Sequence, residues 1–144
     1  MSSTPARPLE IELPLEIGTY DVDFAGVVSN IVYVRWLEDL RNALLKKFFP
    51  LERLLERGSL PVVAQTRVNY KEPLRLFDQP TGRMWAQDMG DRYFMLEAEF
   101  TLGGKVVATA EQVAVFVNRS DWQPTQIPEE LAQLYKELRA PKES

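Results

Sequence analysis

Two aspartates and a glycine stand directly before the most strongly patterned helix of the sequence. Asp21 and Asp23 precede Gly26 in the run YDVDFAGVVSN, and a helical pattern begins at about Ser29. The first turn of a helix offers unpaired N–H groups and about half a positive charge. Such donors can stabilise the oxyanion that forms when a carbonyl is attacked, and a nearby carboxylate can attack the carbonyl or activate a water. The spacing therefore indicates carbonyl chemistry at the entry to this helix.

The spacing alone also allows a purely structural interpretation of the same residues. Aspartates at a helix entry commonly form Asx turns and caps, and this role fits Asp21 best. The functional alternative for Asp21 is a like charge that tunes Asp23. Gly26 lacks a Cβ, so its backbone can approach a ligand closely. A calcium loop of the EF-hand type is excluded, because the alternating oxygen ligands and the closing glutamate are missing.

Composition excludes several other kinds of chemistry. The chain has 144 residues, which fits one domain, and contains no histidine and no cysteine. A Ser-His-Asp triad, a cysteine nucleophile and a metal site built on imidazole or thiolate are thereby ruled out. The net charge of −4 and the pI near 5.0 argue against nucleic acid as a partner. We expect chemistry based on carboxylates and backbone dipoles, with no metal and no redox cofactor.

The remaining pattern predicts an α+β domain. A long helix is expected from about residue 29 to 49, with Lys46 and Lys47 in its last turn and Pro50 ending it. Its apolar face is formed by Tyr33, Trp36, Leu37, Leu40, Leu44 and Phe48. Arg35 and Glu38 are expected to form a solvated pair. A short helix or turn follows at 50–58, and a C-terminal helix begins beyond Pro128.

Five segments show the patterns of β-strands, and they suggest a mostly antiparallel sheet. They span residues 9–18, 60–71, 78–88, 93–102 and 105–118. Pro14 lacks an N–H, so the first strand is expected at an edge of the sheet or with a bulge. Gly103 and Gly104 predict a two-residue hairpin.

The ends of the sequence carry no signal of secretion or membrane insertion. Residues 1–8 are polar, and the apolar stretches are far shorter than the ~18 residues of a transmembrane helix. We expect disordered segments at 1–8 and 140–144, a single domain at 9–139, no membrane partner and a cytoplasmic protein.

The helix-entry segment resembles the active-site loop and helix of hotdog-fold acyl thioesterases, most closely the 4-hydroxybenzoyl-CoA thioesterase type. The likeness is carried by DVDFAGVV at positions 21–28 and by Asn30, Tyr33, Arg35, Trp36 and Glu38. The run VNYKEPL at 68–74 resembles the strand exit of that family. The resemblance covers residues 9–118 and implies a hotdog fold, a five-stranded antiparallel sheet wrapped around one long central helix, plus a C-terminal helix.

The resemblance also implies a site and a reaction. Asp23 matches the catalytic aspartate, acting as nucleophile or general base on the thioester of an acyl-CoA or acyl-ACP, and the backbone N–H of Asn30 matches the oxyanion donor. The substrate-binding residues would be Gly26, Val27, Val28, Ser29 and Tyr33, although Tyr33 and Trp36 fit a core role first. Many relatives have an aromatic-histidine pair where this chain has Ser29-Asn30.

Partners follow from the residues and from the resemblance together. Arg67, Lys71 and Arg75 are candidates to hold the phosphates of coenzyme A, with an exposed strand end as the plain alternative. The family likeness implies a homodimer or homotetramer, in which sheets join edge to edge and the site lies at the interface. The competing function is a hotdog module that binds an acyl thioester without hydrolysing it.

Overall fold

A long helix and one face of an antiparallel sheet form the core of the molecule. The computed structural model describes residues 7–139. The strands are β1 (Ile11–Pro14), β2 (Ser59–Tyr70), β3 (Thr81–Met89), β4 (Tyr93–Leu102) and β5 (Lys105–Asn118). The helices are α1 (Asn30–Phe48), α2 (Leu51–Glu56) and α3 (Glu129–Arg139), and a 3₁₀ turn spans Thr19–Asp21. The sheet order is β1-β3-β4-β5-β2 with every pair antiparallel, so the predicted α+β arrangement of five strands and a long helix is confirmed.

Helix α1 buries the apolar face that its periodicity predicts. Leu37 and Leu40 are fully buried, and α1 packs mainly against β3 and β1. Gly82 on β3 allows this close approach, because a Cβ there would lie 3.2 Å from Leu40 Cδ1 and 3.0 Å from Leu15 Cδ1. The helix therefore approaches the sheet closely at β3.

The ends of the strands follow from the residues that cannot pair. β1 is an edge strand, as Pro14 predicts, but it is shorter than the expected segment 9–18. Leu15 donates its N–H to the carbonyl of Pro80 at 2.9 Å, and Pro80 has no N–H to return, so the ladder ends there. The predicted hairpin between β4 and β5 is present, with φ of +58° at Gly103 and +84° at Gly104.

The first and last residues that the structure describes, before β1 and on α3, pack on β3. The Ala86 N–H donates to the carbonyl of Pro8 at 2.8 Å, and the Arg7 guanidinium lies 3.8 Å from the centre of the Trp85 ring. Tyr135 on α3 donates its hydroxyl to the Gln87 carbonyl at 3.3 Å. The rest of the predicted segment 1–8 and the predicted tail 140–144 lie outside the described residues. Within residues 7–139, no helix is long and apolar enough to cross a membrane.

Candidate active site

The loop before α1 is a tight turn closed by backbone hydrogen bonds. Val22 and Val28 form an antiparallel bridge, the Asp23 N–H donates to the Val27 carbonyl at 2.9 Å, and the Gly26 N–H donates to the Asp23 carbonyl at 3.0 Å. Gly26 has a φ of +80°, a conformation that side chains with a Cβ rarely adopt. No described atom lies within 4 Å of where its Cβ would be, so the turn requires glycine for its backbone conformation.

Asp23 presents its carboxylate at the surface of this turn. Oδ1 accepts hydrogen bonds from the N–H of Ala25 at 2.9 Å and of Val27 at 3.5 Å. Oδ2 has no hydrogen-bond partner among residues 7–139. One carboxylate oxygen is thus held by the loop, while the other is available to a substrate or a water.

The start of α1, a few residues after that carboxylate, leaves a backbone donor free among residues 7–139. Ser29 is the N-cap residue, but its hydroxyl does not accept a hydrogen bond from the helix, and its N–H is taken by the Asp21 carbonyl at 2.9 Å. The Asn30 N–H has no acceptor in the described part of the chain. A carbonyl oxygen placed there would meet both this donor and the positive end of the helix dipole.

Asp21 has the structural role that its position predicts. It is 2% exposed, its Oδ2 accepts the Gly18 N–H at 2.8 Å, and Arg35 Nη1 lies 3.0 Å from its Oδ1. Burial raises the pKa of the Asp21 carboxyl, but the Arg35 guanidinium and the Gly18 N–H outweigh burial and leave this pKa below its usual value. The expected pair of Arg35 with Glu38 is therefore wrong, because the 3₁₀ turn brings the buried Asp21 within reach of the guanidinium.

Tyr33 lies in an aromatic cluster beneath the start of α1. Its ring meets Trp36, Tyr70 and Phe100 edge-on at centroid distances of 5.2, 5.0 and 5.4 Å. Burial and the neighbouring Tyr70 raise the pKa of Tyr33 to about 12. The structure thus shows Tyr33 in a packing role, and its contact with substrate stays a prediction.

Tyr70 has a role at the site that the sequence did not predict. Its hydroxyl donates to the Asn30 carbonyl at 3.1 Å and so ties the end of β2 to the start of α1. The signal available in the sequence was the aromatic residue in the run 68–74, which resembles the strand exit of the thioesterase family.

The other predicted substrate-binding residues lie along the same turn. Val28 is buried and donates its N–H to the Leu74 carbonyl at 2.8 Å, whereas Val27 and Ser29 are partly exposed. This contact places the segment after β2 beside the loop, and that segment contains two of the predicted phosphate-binding cations.

The three predicted cations lie near the end of β2 and on the segment that follows it. Lys71 and Arg75 are exposed on the segment whose Leu74 contacts the loop. Arg67 pairs with Glu111 at 2.5 Å, on the face of the sheet opposite α1, because its neighbour Val68 packs toward the core. Arg67 thus has a carboxylate partner, whereas Lys71 and Arg75 lie on the segment that contacts the loop, and phosphate binding by all three stays a prediction.

The family of the chain is decided by a match that spans most of its length. The profile of the thioesterase-like superfamily matches residues 17–134, which include the turn, α1 and all strands except β1. The chain belongs to the thioesterase-like superfamily. The predicted class of enzyme, a thioester hydrolase, is confirmed at this level, whereas the finer likeness to the 4-hydroxybenzoyl-CoA type stays a prediction. Comparison with curated proteins gave no match.

Solved structures share the fold of the whole domain. A DHNA-CoA thioesterase from Staphylococcus aureus is similar with a TM-score of 0.83 and 16% identity, over 90% of this chain and 91% of that one. A thioesterase from Thermus thermophilus, complexed with coenzyme A and Zn, has a TM-score of 0.78 and 23% identity, over 91% and 96%. A 1,4-dihydroxy-2-naphthoyl-CoA thioesterase from Synechocystis has a TM-score of 0.80 and 14% identity, over 92% and 99%. The chain therefore has the hotdog fold that the resemblance implies.

Proposed function

We propose that this protein hydrolyses the thioester of an acyl-CoA, releasing a free acid and coenzyme A. The observation that carries the proposal is the exposed carboxylate of Asp23 in the turn that leads into α1, together with the Asn30 N–H at the start of that helix, which has no acceptor among residues 7–139. A superfamily of thioesterases supplies the reaction class, and this pair supplies the groups that the reaction needs.

The chemistry has two forms that share the same oxyanion donor. As a general base, Asp23 takes a proton from water, and the hydroxide adds to the thioester carbonyl carbon. As a nucleophile, an Asp23 oxygen adds to that carbon, and water later hydrolyses the resulting anhydride. In both forms the Asn30 N–H stabilises the oxyanion, the C–S bond breaks, and the thiolate leaves and takes up a proton.

The choice of coenzyme A over an acyl carrier protein rests on two observations. Lys71 and Arg75 lie on the exposed segment beside the loop, where they can meet phosphates. Two proteins of the same fold are described as CoA thioesterases, and another thioesterase of this fold is complexed with coenzyme A. A module that only binds acyl thioesters would not need an exposed loop carboxylate with one oxygen free.

Thiol release from a panel of aryl-, short-chain and long-chain acyl-CoAs tests the proposal. We expect turnover with at least one class, and we expect it to persist after dialysis against a chelator, because the chain has no histidine or cysteine to bind a transition metal tightly. Tight binding of these thioesters without thiol release would establish the binding module instead. Activity that is lost with EDTA and restored by a divalent cation would contradict the metal-free mechanism.

A second copy of the chain is part of the proposed enzyme. The residues around the turn and the start of α1 leave large apolar side chains in solvent, including Tyr20, Phe24 and Ile31 at 83, 104 and 76% exposure. The 12-residue strand β2 lies at the edge of the sheet, where its outer hydrogen-bonding groups can pair with a partner. We propose a homodimer, or a homotetramer of such dimers, in which a partner covers this surface.

Sedimentation velocity at micromolar concentration checks this assembly. We expect no monomer under conditions where the enzyme is active, and Ile31→Glu should shift the protein toward monomer, since it places a charge in an apolar contact. Asp39→Glu, an exposed change on the same helix, serves as the control. A fully active monomer would contradict the prediction.

A further inference from the structure

The segment between β2 and β3 carries an aromatic side chain in solvent. Phe77 is 88% exposed and has a φ of +77°, in the left-handed region that favours glycine. It occupies the third position of a β-turn, in which the Asp78 N–H donates to the Arg75 carbonyl at 3.1 Å. A positive φ at this position is what a type II turn requires, and glycine ordinarily supplies it. The phenylalanine therefore strains the backbone of the free protein and buries little apolar surface in return.

The turn is anchored at both of its ends, so its side chains have a defined position. Leu74 before it and Pro80 after it are buried. The Arg75 N–H also donates to Asp78 Oδ2 at 2.8 Å, which closes the turn a second time. The exposure of Phe77 thus results from the shape of the turn.

Two contacts place this segment beside the proposed reaction site. The Tyr70 hydroxyl donates to the Asn30 carbonyl at 3.1 Å. The Leu74 carbonyl accepts the Val28 N–H at 2.8 Å. Phe77 follows Leu74 by three residues, which can span at most about 11 Å. Phe77 therefore lies close to the start of α1 without being part of the turn that carries the proposed catalytic carboxylate.

Two cations accompany the exposed ring on this segment. Lys71 and Arg75 are exposed, and neither side chain forms an ion pair among residues 7–139. The two carboxylates of the segment have partners, since Glu72 pairs with Lys105 at 2.8 Å and Asp78 accepts the backbone N–H that closes the turn. Free positive charge beside an exposed ring fits a nucleotide, because its phosphates need cations and its base offers a flat face for stacking.

We propose that Phe77 binds the adenine of coenzyme A by stacking, while Lys71 and Arg75 bind its phosphates. The inference rests on the proposed function and narrows the substrate to a CoA thioester, because the phosphopantetheine arm of an acyl carrier protein carries no adenine. In coenzyme A the same arm separates the adenine from the thioester. The base is therefore expected one loop away from the Asn30 N–H, where Phe77 lies.

The test compares the binding of coenzyme A with that of phosphopantetheine, measured by titration calorimetry. We expect wild type to bind coenzyme A more tightly, and we expect Phe77→Leu and Phe77→Gly to lose about ten-fold or more in affinity for coenzyme A alone. Phe77→Tyr should keep the wild-type affinity, because its ring can also stack. Glycine suits the φ of this position, so Phe77→Gly is expected to fold, and thermal unfolding of each variant checks this.

Trp122 supplies a matched control for the loss of an exposed ring. It also has a positive φ, of +61°, and is 61% exposed. Its loop follows Asn118, which pairs with Ser59 at the start of β2, whereas Tyr70 lies at the other end of that strand. Conformation and exposure therefore do not by themselves mark a ligand site, and Trp122→Gly should leave the affinity for coenzyme A unchanged.

The binding measurements do not depend on hydrolysis, so they separate this inference from the proposed function. Absence of thiol release from every acyl-CoA contradicts the proposed function, whereas a preference for coenzyme A that depends on the ring still supports the inference. Unchanged affinity of the folded Phe77→Leu and Phe77→Gly variants for coenzyme A, or an equal loss with Trp122→Gly, would overturn it. A shift of Phe77→Gly toward monomer in sedimentation, with unchanged affinity, would also overturn it and place the ring in a contact between two copies.

Discussion

Replacing Asp23 with Asn should lower turnover by at least ~10²-fold while the protein stays folded. The amide keeps the size of the carboxylate, and its oxygen can still accept the Ala25 N–H, so the turn has little reason to open. It cannot remove a proton from water or attack a carbonyl, because the negative charge is gone. The measurement is thiol release at saturating acyl-CoA, together with thermal unfolding to show an unchanged fold.

Asp121 provides a matched control for this variant. It is exposed in a turn, and its Oδ1 accepts the N–H of Gln123 at 3.0 Å, the same local contact that Asp23 makes with Ala25. Asp121→Asn therefore changes charge and turn geometry in the same way, away from the site. Near wild-type thiol release by Asp23→Asn would show that the loop carboxylate is only a cap, and the binding-module interpretation would replace the proposed enzyme.

Replacing the neighbouring Asp21 with Asn should affect stability more than turnover, the opposite of Asp23→Asn. We expect a loss of stability of about 1–3 kcal/mol. The new amide can offer its oxygen to the Gly18 N–H, but its NH₂ group then faces the Arg35 guanidinium, donor against donor. The Arg35 side chain is 46% exposed, so water can solvate the unpaired cation and limits the cost. Chemical denaturation at neutral pH measures the difference in free energy of unfolding, and Asp23→Asn is the control.

The pH dependence of this difference in the free energy of unfolding tests whether the negative charge of Asp21 is its cause. The folded-state pKa of Asp21 lies below its ordinary value of 3.8, so the unfolded state binds the proton more readily. The stabilisation is therefore fully present above about pH 3.8 and is lost as the pH falls through the folded-state pKa. The gap in stability between wild type and Asp21→Asn should narrow in acid below that pH. A gap that stays constant or widens there would show that the Asp21 charge is not what stabilises the loop.

Local pattern was sufficient for the elements and for the location of the predicted chemistry. The helix expected at about 29–49 is Asn30–Phe48, and the last two strands agree at both ends with Tyr93–Leu102 and Lys105–Asn118. Periodicity predicts these elements because each buries one face against the same core. The turn at Gly26 was also predictable from local sequence. Few residues other than glycine suit a loop that reverses direction just before a helix.

Contacts between residues distant in sequence required the tertiary structure. Only the folded sheet shows that Arg67 pairs with Glu111, which lies opposite it on β5 and 44 residues later in the chain. The early end of β1 at Pro14 likewise depends on Pro80, a residue 66 positions later in the chain.

By itself the sequence determined the class of the protein, because the order of elements and the run DVDFAGVV are local features. Only the tertiary structure decided which charged side chains are buried and which residues they pair with. Arg35 pairs with Asp21 and not with the expected Glu38. Arg41 donates a hydrogen bond to Gln112, which lies 71 residues later in the chain, on β5. Spacing on a helix places several possible partners at similar distances from a charged group. Burial removes water as a competing partner, so the charged group pairs with the residue in the more buried environment.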